Sequence, residues 1–195
     1  IGGLTRKCAQ SASALYRIFV KGEIHLTHAR TAEMAKLTEN AYRDVRVAYA
    51  SEVARHCDAH DIDFYALRDQ VNAALQQQDG ASADPNAVPS GGLLVPTVGV
   101  GGHCLPKDGI LLWWRALEAG EPTDRSLILE SRRINDASPA VTLAHVERAL
   151  GSLEGRRVAL LGAAYRGNSE DTRNSPTLVA AALLRERGIA FRIHD

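Results

Sequence analysis

Apolar residues recur at helical spacing through the first three quarters of the chain. Between residues 5 and 19 they fall every three or four positions, which predicts an amphipathic helix. An alanine-rich segment over residues 31–57 predicts a longer helix, with Thr31 as its N-cap and Glu33 facing the positive end of the helix dipole. Small side chains let a neighbouring helix approach closely, so we expect this helix to be buried centrally or to form a dimer seam.

Four shorter helices are predicted after the alanine-rich one. Residues 61–75 carry one apolar stripe, and residues 110–117 are almost continuously apolar. Residues 124–135 form the third of these helices. Ser138 and Pro139 then offer an N-cap and a first-turn proline, which predicts that a separate fourth helix begins there.

The hydrophobic pattern changes in the last quarter of the chain. A run typical of a buried strand, residues 158–162, is followed by a polar loop, a helix over 175–187 and a second strand over 189–194. This is the order of one βαβ unit, of the kind that opens a nucleotide-binding sheet. The pattern therefore predicts a helical unit over residues 1–151 and an α/β unit over residues 152–195.

Composition narrows the class of protein. Hydrophobic residues make up 45% of the chain, and 23 basic residues balance 23 acidic ones, so no net charge attracts nucleic acid or an anionic membrane. No apolar run approaches the ~20 residues of a membrane-spanning helix, and Arg6 and Lys7 interrupt any signal-peptide pattern. Three widely spaced cysteines, Cys8, Cys57 and Cys104, argue against a disulfide framework and for a reducing cytoplasm.

Residues 99–108, Gly-Val-Gly-Gly-His-Cys-Leu-Pro-Lys-Asp, combine a flexible backbone with reactive side chains. Cys104 lies just before a predicted helix and near Lys107, where the amide dipoles and the cation both favour a thiolate. Asp108 is placed to act as a base or to cap that helix. The residues alone leave a second interpretation equally open, a Gly-rich turn that carries a buried structural cysteine.

Three segments of the chain resemble one known family. Residues 99–108 are similar to the catalytic loop of the nucleotide-sugar 6-dehydrogenases, the UDP-glucose/GDP-mannose dehydrogenase family, which reads Gly-Gly-x-Cys-x-x-x-Asp. Residues 33–40 (Glu-Met-Ala-Lys-Leu-Thr-Glu-Asn) resemble the central helix of that family, and residues 171–176 (Asp-Thr-Arg-Asn-Ser-Pro) resemble the opening of its third domain. The resemblance implies an α-helical central dimerisation domain over residues 1–151. The start of an α/β Rossmann-like, UDP-binding domain is implied over residues 152–195.

The same resemblance bears on the extent of the chain. A subunit of this family begins with an NAD-binding Rossmann domain that carries G-x-G-x-x-G, and no such motif opens this sequence. The chain begins at Ile1 and ends at Asp195, directly after a predicted strand. We therefore expect it to be the middle of a longer protein and to be inactive by itself.

Individual roles are also implied by the resemblance. Cys104 is implied to be the nucleophile, Lys36 to stabilise an oxyanion, and Asn40 and Asp108 to position and activate water, with Asp108 as general base. The implied ligand contacts are Lys107 and Arg173 to the cofactor, and Gly99, Gly101 and Arg166 to the substrate. Without the resemblance, Lys36 and Asn40 would be interpreted as a surface pair one turn apart on an amphipathic helix.

The implied reaction oxidises the C6 alcohol of a sugar to a carboxylate, with two NAD⁺ as oxidants and a Cys104 thiohemiacetal that becomes a thioester. The implied partners are a nucleotide-sugar substrate and a second copy bound through the central helix. No metal is expected, because His56 and His60 lack a second ligand pair at matching spacing. His103 implies UDP-N-acetyl-D-mannosamine as substrate, because relatives that oxidise UDP-N-acetylhexosamines commonly read Gly-Gly-His-Cys at this position. Residues 105–108 (Leu-Pro-Lys-Asp) look more like the UDP-glucose and GDP-mannose enzymes, which remain the alternative.

The chain departs from the family over residues 79–92, which are rich in Asp, Asn, Ser, Gly and Pro and predict a flexible loop. Relatives carry a substrate-contacting arginine in this region, but no arginine lies between Arg68 and Arg115. Two other functions stay open. One is a truncated dimerisation module without redox activity. The other is a cysteine hydrolase using Cys104 and His103, which is disfavoured because adjacent side chains rarely form the required hydrogen bond.

Overall fold

The computed structural model describes residues 1–79 and 91–195, so most of the predicted loop over 79–92 lies outside the described residues. Within that part of the chain, six helices combine with two small parallel sheets. In chain order the elements are β1 (Gly2–Gly3), α1 (Arg6–Tyr16), β2 (Thr27–His28), α2 (Ala29–Ala59), α3 (Phe64–Asp79), α4 (Leu105–Glu118), α5 (Leu127–Leu150), β3 (Arg157–Leu161), α6 (Pro176–Glu186) and β4 (Ala190–His194). The predicted fold class, a helical unit followed by the start of an α/β unit, is confirmed.

The long helix α2 is the axis of the helical unit. It has 31 residues and is roughly 46 Å long, and it packs against both α4 and α5. Its N-cap is His28, whose Nδ1 accepts a hydrogen bond from the Arg30 backbone at 3.3 Å. The prediction of Thr31 as N-cap is therefore wrong, because the histidine ring supplies the acceptor three residues earlier. No helix in residues 1–79 or 91–195 is both long and apolar enough to cross a membrane.

The segment that leads into the glycine-rich loop is anchored to α3. The Asn72 side chain donates to the Leu93 carbonyl at 3.1 Å and accepts from the Leu93 backbone N–H at 2.7 Å. Arg68 donates to the same carbonyl at 3.1 Å, and Arg46 of α2 donates to the carbonyl of Gly92. Leu93 is itself buried in a cluster with Phe64. The side chains of two helices thus determine where the chain enters the loop.

Helix α5 is continuous through Ser138 and Pro139, so the predicted start of a new helix at these residues is wrong. Pro139 has no N–H for the Asn135 carbonyl, but a single missing bond does not end a helix that is held by packing. Ser138 donates to the Ile134 carbonyl at 2.9 Å, and Ser138 and Pro139 are both buried. The true N-cap is Ser126, which accepts from the Leu129 backbone at 3.2 Å.

The α/β unit has the predicted order of strand, helix and strand. Strands β3 and β4 pair in parallel, from Arg157 opposite Ala190 to Leu161 opposite His194, and α6 connects them. The core of the unit is formed by Leu143, Leu153, Leu184 and Ile189. Leu143 belongs to α5, so the end of that helix packs into the α/β unit while its beginning packs against α2.

Candidate active site

Cys104 lies at the N-cap of α4 with its side chain exposed. Its backbone carbonyl accepts from the Lys107 N–H at 3.1 Å and the Asp108 N–H at 2.9 Å, which starts the helix five residues before the apolar run at 110–117. The sulfur makes no capping hydrogen bond. An exposed thiol contradicts the interpretation of Cys104 as a buried structural cysteine. That description fits Cys57, which is buried in the core of the helical unit.

Asp108 joins α4 to α2 and is only 4% exposed. One carboxylate oxygen accepts from Asn40 Nδ2 at 2.7 Å, and the other contacts Lys107 Nζ at 2.5 Å. Burial raises the pKa of Asp108, but the hydrogen bonds from Lys107 and Asn40 and the charges of Lys107 and Lys36 outweigh it. The pKa therefore lies below its ordinary value, and Asp108 is ionised at neutral pH.

Lys36 lies one helical turn before Asn40 on α2. Its side chain is 63% exposed, and Nζ pairs with Glu39 at 3.0 Å. The positive charge of Lys36 nevertheless contributes to the lowered pKa of Asp108, so the two groups are within electrostatic reach. The structure thus places Lys36 at the edge of the predicted site, with its amine directed to Glu39.

Arg173 belongs to the connection between β3 and α6, and it reaches the same loop. Its guanidinium holds the Asp171 carboxylate through bonds of 2.9, 3.1 and 2.5 Å. These side-chain bonds, together with a bond from the Arg173 backbone, lower the pKa of Asp171 to about 2. Asp171 raises the pKa of Arg173, and Cys104 adds to that effect, which places the sulfur within electrostatic reach of the guanidinium.

The glycines of the loop pack against the α/β unit. A Cβ at Gly101 would lie 2.6 Å from the Cβ of Tyr165 and 2.9 Å from the carbonyl oxygen of Asn174. Gly99 has a φ of +139°, and a Cβ there would lie 3.1 Å from Pro176. Glycine is therefore required at both positions by close packing between the two units. Their implied contact with a substrate stays a prediction.

Arg166 is exposed in the loop that follows β3. The preceding residue, Tyr165, covers the Gly102 backbone and donates its N–H to the Asp171 carbonyl at 3.1 Å. The implied role of Arg166 in substrate binding stays a prediction.

The sequence analysis missed a buried polar network beneath the site. Asp44, one turn after Asn40, accepts from Arg132 at 2.7 Å and from Asn135 at 2.8 Å, and all three side chains are buried. Burial raises the pKa of Asp44, although Arg132 and Asn135 act in the opposite direction. The i, i+4 spacing of Asn40 and Asp44 placed them on one face, but nothing in the sequence pointed to α5 as their partner.

Among the described residues, no three His, Cys, Asp or Glu side chains are close enough to hold a metal ion. His56 and His60 stack with ring centroids 4.2 Å apart, and the ring of His60 is 2.9 Å from the His56 carbonyl. These contacts are local to one turn of α2.

Two family models match the chain. Residues 30–137 match the model for the UDP-glucose/GDP-mannose dehydrogenase family, central domain. Residues 159–195 match the model for the UDP binding domain of the same family. The first covers the helices around Cys104, and the second covers the βαβ unit that carries Arg173.

Individual relatives agree with these matches. The UDP-N-acetyl-D-mannosamine dehydrogenase of Pyrococcus horikoshii is 39% identical over 199 residues, which cover 100% of this chain and 43% of the relative. The solved structure of UDP-D-ManNAc dehydrogenase from Pyrococcus horikoshii has a TM-score of 0.78 at 38% identity and covers 98% of this chain and 42% of its own. The NDP-N-acetyl-D-galactosaminuronic acid dehydrogenase structure from Methanosarcina mazei Go1 has a TM-score of 0.79 at 31% identity. The match covers 100% of this chain and 41% of that structure's chain.

This chain therefore spans about two fifths of the length of these relatives. The family models nevertheless match more than half of its residues, and the similarity to the first relative extends over its whole length. The resemblance carried by residues 33–40, 99–108 and 171–176 is confirmed. The chain belongs to the UDP-glucose/GDP-mannose dehydrogenase family.

Proposed function

We propose that the full-length protein is a cytoplasmic NAD-dependent nucleotide-sugar 6-dehydrogenase that oxidises a C6 alcohol to a carboxylate through Cys104. The observation that carries the proposal is the exposed Cys104 thiol at the start of α4, with cations from both units beside it. Lys107 contributes one cation and Arg173 the other. Hydrogen bonds to Asp108 and Asp171 are the main cause of the raised pKa of these two cations, and Cys104 adds to it, so the sulfur lies within electrostatic reach of both. The two cations can balance negative charge that develops during attack by the sulfur.

In the covalent part of the reaction, the Cys104 thiolate adds to the C6 aldehyde, so that a C–S bond forms and the carbonyl oxygen takes the negative charge. Oxidation of this adduct at C6 gives a thioester. Water then adds to the thioester carbonyl, the C–S bond breaks, and the products are a carboxylate, the Cys104 thiol and one proton. A thiol suits both halves, because it is nucleophilic and also leaves readily from an acyl group.

Asp108 and Asn40 are proposed to serve the hydrolytic step. Asp108 is ionised at neutral pH, so its carboxylate carries no proton and can act as the base, and the 2.7 Å bond from Asn40 orients it. Lys36 is proposed to stabilise the oxyanion of the adduct. For that role its amine has to leave Glu39, an exposed pairing that costs little to break.

NAD is the cofactor that this proposal requires, and the side chains present fit a dinucleotide. Lys107 and Arg173 have side chains that are 45% and 62% exposed, so both can face a pyrophosphate while bound to their carboxylates. When bound there, NAD⁺ would supply the hydride acceptor for both oxidations at C6.

The proposed substrate is UDP-N-acetyl-D-mannosamine. His103 before the cysteine supports it, as does the identity of 39% to a relative named for that substrate. UDP-glucose and GDP-mannose are the alternatives, because residues 105–108 (Leu-Pro-Lys-Asp) look more like those enzymes. NADH release by the full-length protein on the three nucleotide sugars in parallel ranks them directly.

A homodimer through α2 is also proposed. Two apolar cavities of about 640 and 830 Å³ adjoin α2, and Tyr42 and Val45 of that helix line both. Tyr42 and Tyr49 are 57% and 62% exposed, which is unusual for aromatic residues on a central helix and typical of an interface. Sedimentation of the full-length protein should give a dimer, and a monomer would contradict this part of the proposal.

The catalytic proposal is tested by Cys104→Ser in the full-length protein. We expect carboxylate formation to fall by at least about 10³-fold, because a serine hydroxyl lacks an activating base at this position. Cys8→Ser is the matched control, since Cys8 is also exposed but lies on α1. Unimpaired carboxylate formation by Cys104→Ser would refute the covalent role. A wild-type dimer that releases no NADH would instead support the non-catalytic dimerisation module.

A further inference from the structure

Two residues of the α/β unit bind the backbone N–H and carbonyl of Gly102. The Gly102 N–H donates to the Arg173 carbonyl at 2.8 Å, and the Gly102 carbonyl accepts from Asn174 Nδ2 at 2.9 Å. Both polar groups of one loop residue are therefore bound by two consecutive residues of the other unit. Gly102 is two residues before the nucleophile.

These two hydrogen bonds, called the clasp below, matter because the loop they hold is rich in glycine. Gly102 has a φ of +89°, and Gly101 precedes it, so no side chain restricts the backbone at residues 101 and 102. A flexible segment takes one orientation only when bonds from outside select it. In this loop, the bonds that fix the Gly102 peptide come from residues 173–174.

Asn174 is in turn constrained to make its bond. Its φ is +52°, in the left-handed region that asparagine tolerates better than most residues. Its carbonyl oxygen lies against Gly101, so the backbone of Asn174 packs on the loop while its amide reaches the next residue. An asparagine here supplies both the backbone shape and the donor.

We propose that Asn174 is a positioning residue, whose amide fixes the Gly102 carbonyl and so holds the loop that carries Cys104 against residues 173–174. Its effect on turnover rests on the proposed function, but its effect on the thiol does not. The clasp makes the placement of the nucleophile depend on contact between the two units. The α/β unit thus contributes to the geometry of the sulfur as well as to ligand binding.

The test is the alkylation rate of Cys104 by iodoacetamide in the full-length protein, measured by mass spectrometry of peptides and divided by the rate of Cys8. Asn174→Gly removes the donor without adding charge and keeps the left-handed backbone available. Asn174→Asp removes the donor but keeps the shape of the side chain. Asn168→Gly is the matched control, since Asn168 is also left-handed and exposed in the same connection.

We expect the rate ratio of Cys104 to Cys8 to fall about five-fold in both Asn174 variants, which is the effect of one lost hydrogen bond on the population of the held state. A loop without these bonds no longer holds the sulfur at one exposed position at the start of α4, so its alkylation should be slower. The ratio should be unchanged in Asn168→Gly. An unchanged ratio in Asn174→Gly, a fall confined to Asn174→Asp, or an equal fall in Asn168→Gly would each overturn the proposal.

Steady-state kinetics separate this proposal from the proposed function. In an active enzyme, Asn174→Gly should lower kcat about five-fold with the KM for the nucleotide sugar unchanged, because Asn174 holds the nucleophile and not the sugar. A KM effect with constant kcat would contradict the positioning role. If the wild-type protein oxidises no nucleotide sugar, the proposed function fails, and the alkylation ratio still decides the role of Asn174.

Discussion

Two buried aspartates have opposite electrostatic behaviour. Asp108 of α4 is bound by Asn40 of α2, and Asp44 lies on α2 one helical turn after Asn40. Asp108 accepts from an asparagine and a lysine, and Asp44 accepts from an asparagine and an arginine. The two are 4% and 3% exposed. Burial raises the pKa of both, yet the pKa of Asp108 ends below its ordinary value while that of Asp44 ends above it.

The difference follows from how acids and cations are shared. Asp108 faces two cations, Lys107 and Lys36. Asp44 has one cation, Arg132, which also binds Asp136, and the charge of Asp136 raises the pKa of Asp44 further. Asp44 also lies deeper within the protein than Asp108, so burial outweighs its hydrogen bonds, whereas at Asp108 the hydrogen bonds and the two cations prevail. A buried carboxylate is not by itself a sign of a catalytic group.

Asp108→Asn should have the largest effect on the proposed enzyme. The variant keeps the shape of the side chain but has no carboxylate to accept a proton, so kcat/KM for carboxylate formation should fall about 10²–10⁴-fold. Asp124→Asn, at an exposed position, is the control and should leave the rate unchanged. If Asp108→Asn kept the wild-type kcat/KM, Asp108 would be a structural residue like Asp44, and the proposed difference in role between the two would be wrong.

Arg132→Met should have the next largest effect, on stability. The variant leaves Asp44 buried without its cation, which should lower the free energy of unfolding by about 3–5 kcal/mol in a denaturant titration. Arg133→Met is a close control, because Arg133 is exposed and pairs only with Glu130 among the described residues. That change should cost no more than about 1 kcal/mol. If both variants lost the same free energy of unfolding, the buried network would stabilise the protein no more than an exposed ion pair does.

The smallest effect is on the pH dependence of stability, and its sign distinguishes the two aspartates. A lowered pKa in the fold means that ionised Asp108 stabilises the protein above the unfolded value of about 3.9, and that this is lost as pH falls through the folded pKa. For Asp44, whose pKa is raised in the fold, stability changes with pH in the opposite direction. Its contribution is complete below about 3.9 and is lost as pH rises through the folded pKa.

These opposite pH dependences are tested by measuring the melting temperatures of Asp108→Asn, Asp44→Asn and the wild type between pH 3 and pH 7. The advantage of the wild type over Asp108→Asn should shrink as pH falls below about 4. Relative to Asp44→Asn, the wild type should lose stability as pH rises above about 4, by a few degrees at most. Parallel curves for the two variants would contradict the assigned directions.

Local patterns predicted the α/β unit and the cysteine loop well. The change of hydrophobic period located β3, α6 and β4, and the glycines, thiol and acid of residues 99–108 marked the loop before any fold was known. Each of these signals lies within a few consecutive residues. The exposed position of Cys104 then follows from its place at the N-cap of α4.

Contacts between distant segments could not be predicted from spacing. The bond between Asn40 and Asp108 spans 68 residues, and the bond between Asn174 and Gly102 spans 72. Only the family resemblance brought Asn40 to the loop. It included Asn174 within residues 171–176 but implied no role for it, and it did not include Asp44. The wrong helix start at Ser138 has the same origin, because the packing that keeps α5 continuous comes from residues far away in sequence.

One consequence of the continuous α5 concerns how the molecule can move. This helix of 24 residues, roughly 36 Å long, binds Asp44 of α2 near its beginning and contributes Leu143 to the core of the α/β unit, so one rigid element belongs to both units. A hinge motion between the units would have to bend it. Pro139 withholds one hydrogen bond of the helix, and proline is a common site of helix kinks. Pro139 lines the same small cavity as Gly99, so a bend there would move the surface on which the cysteine loop packs.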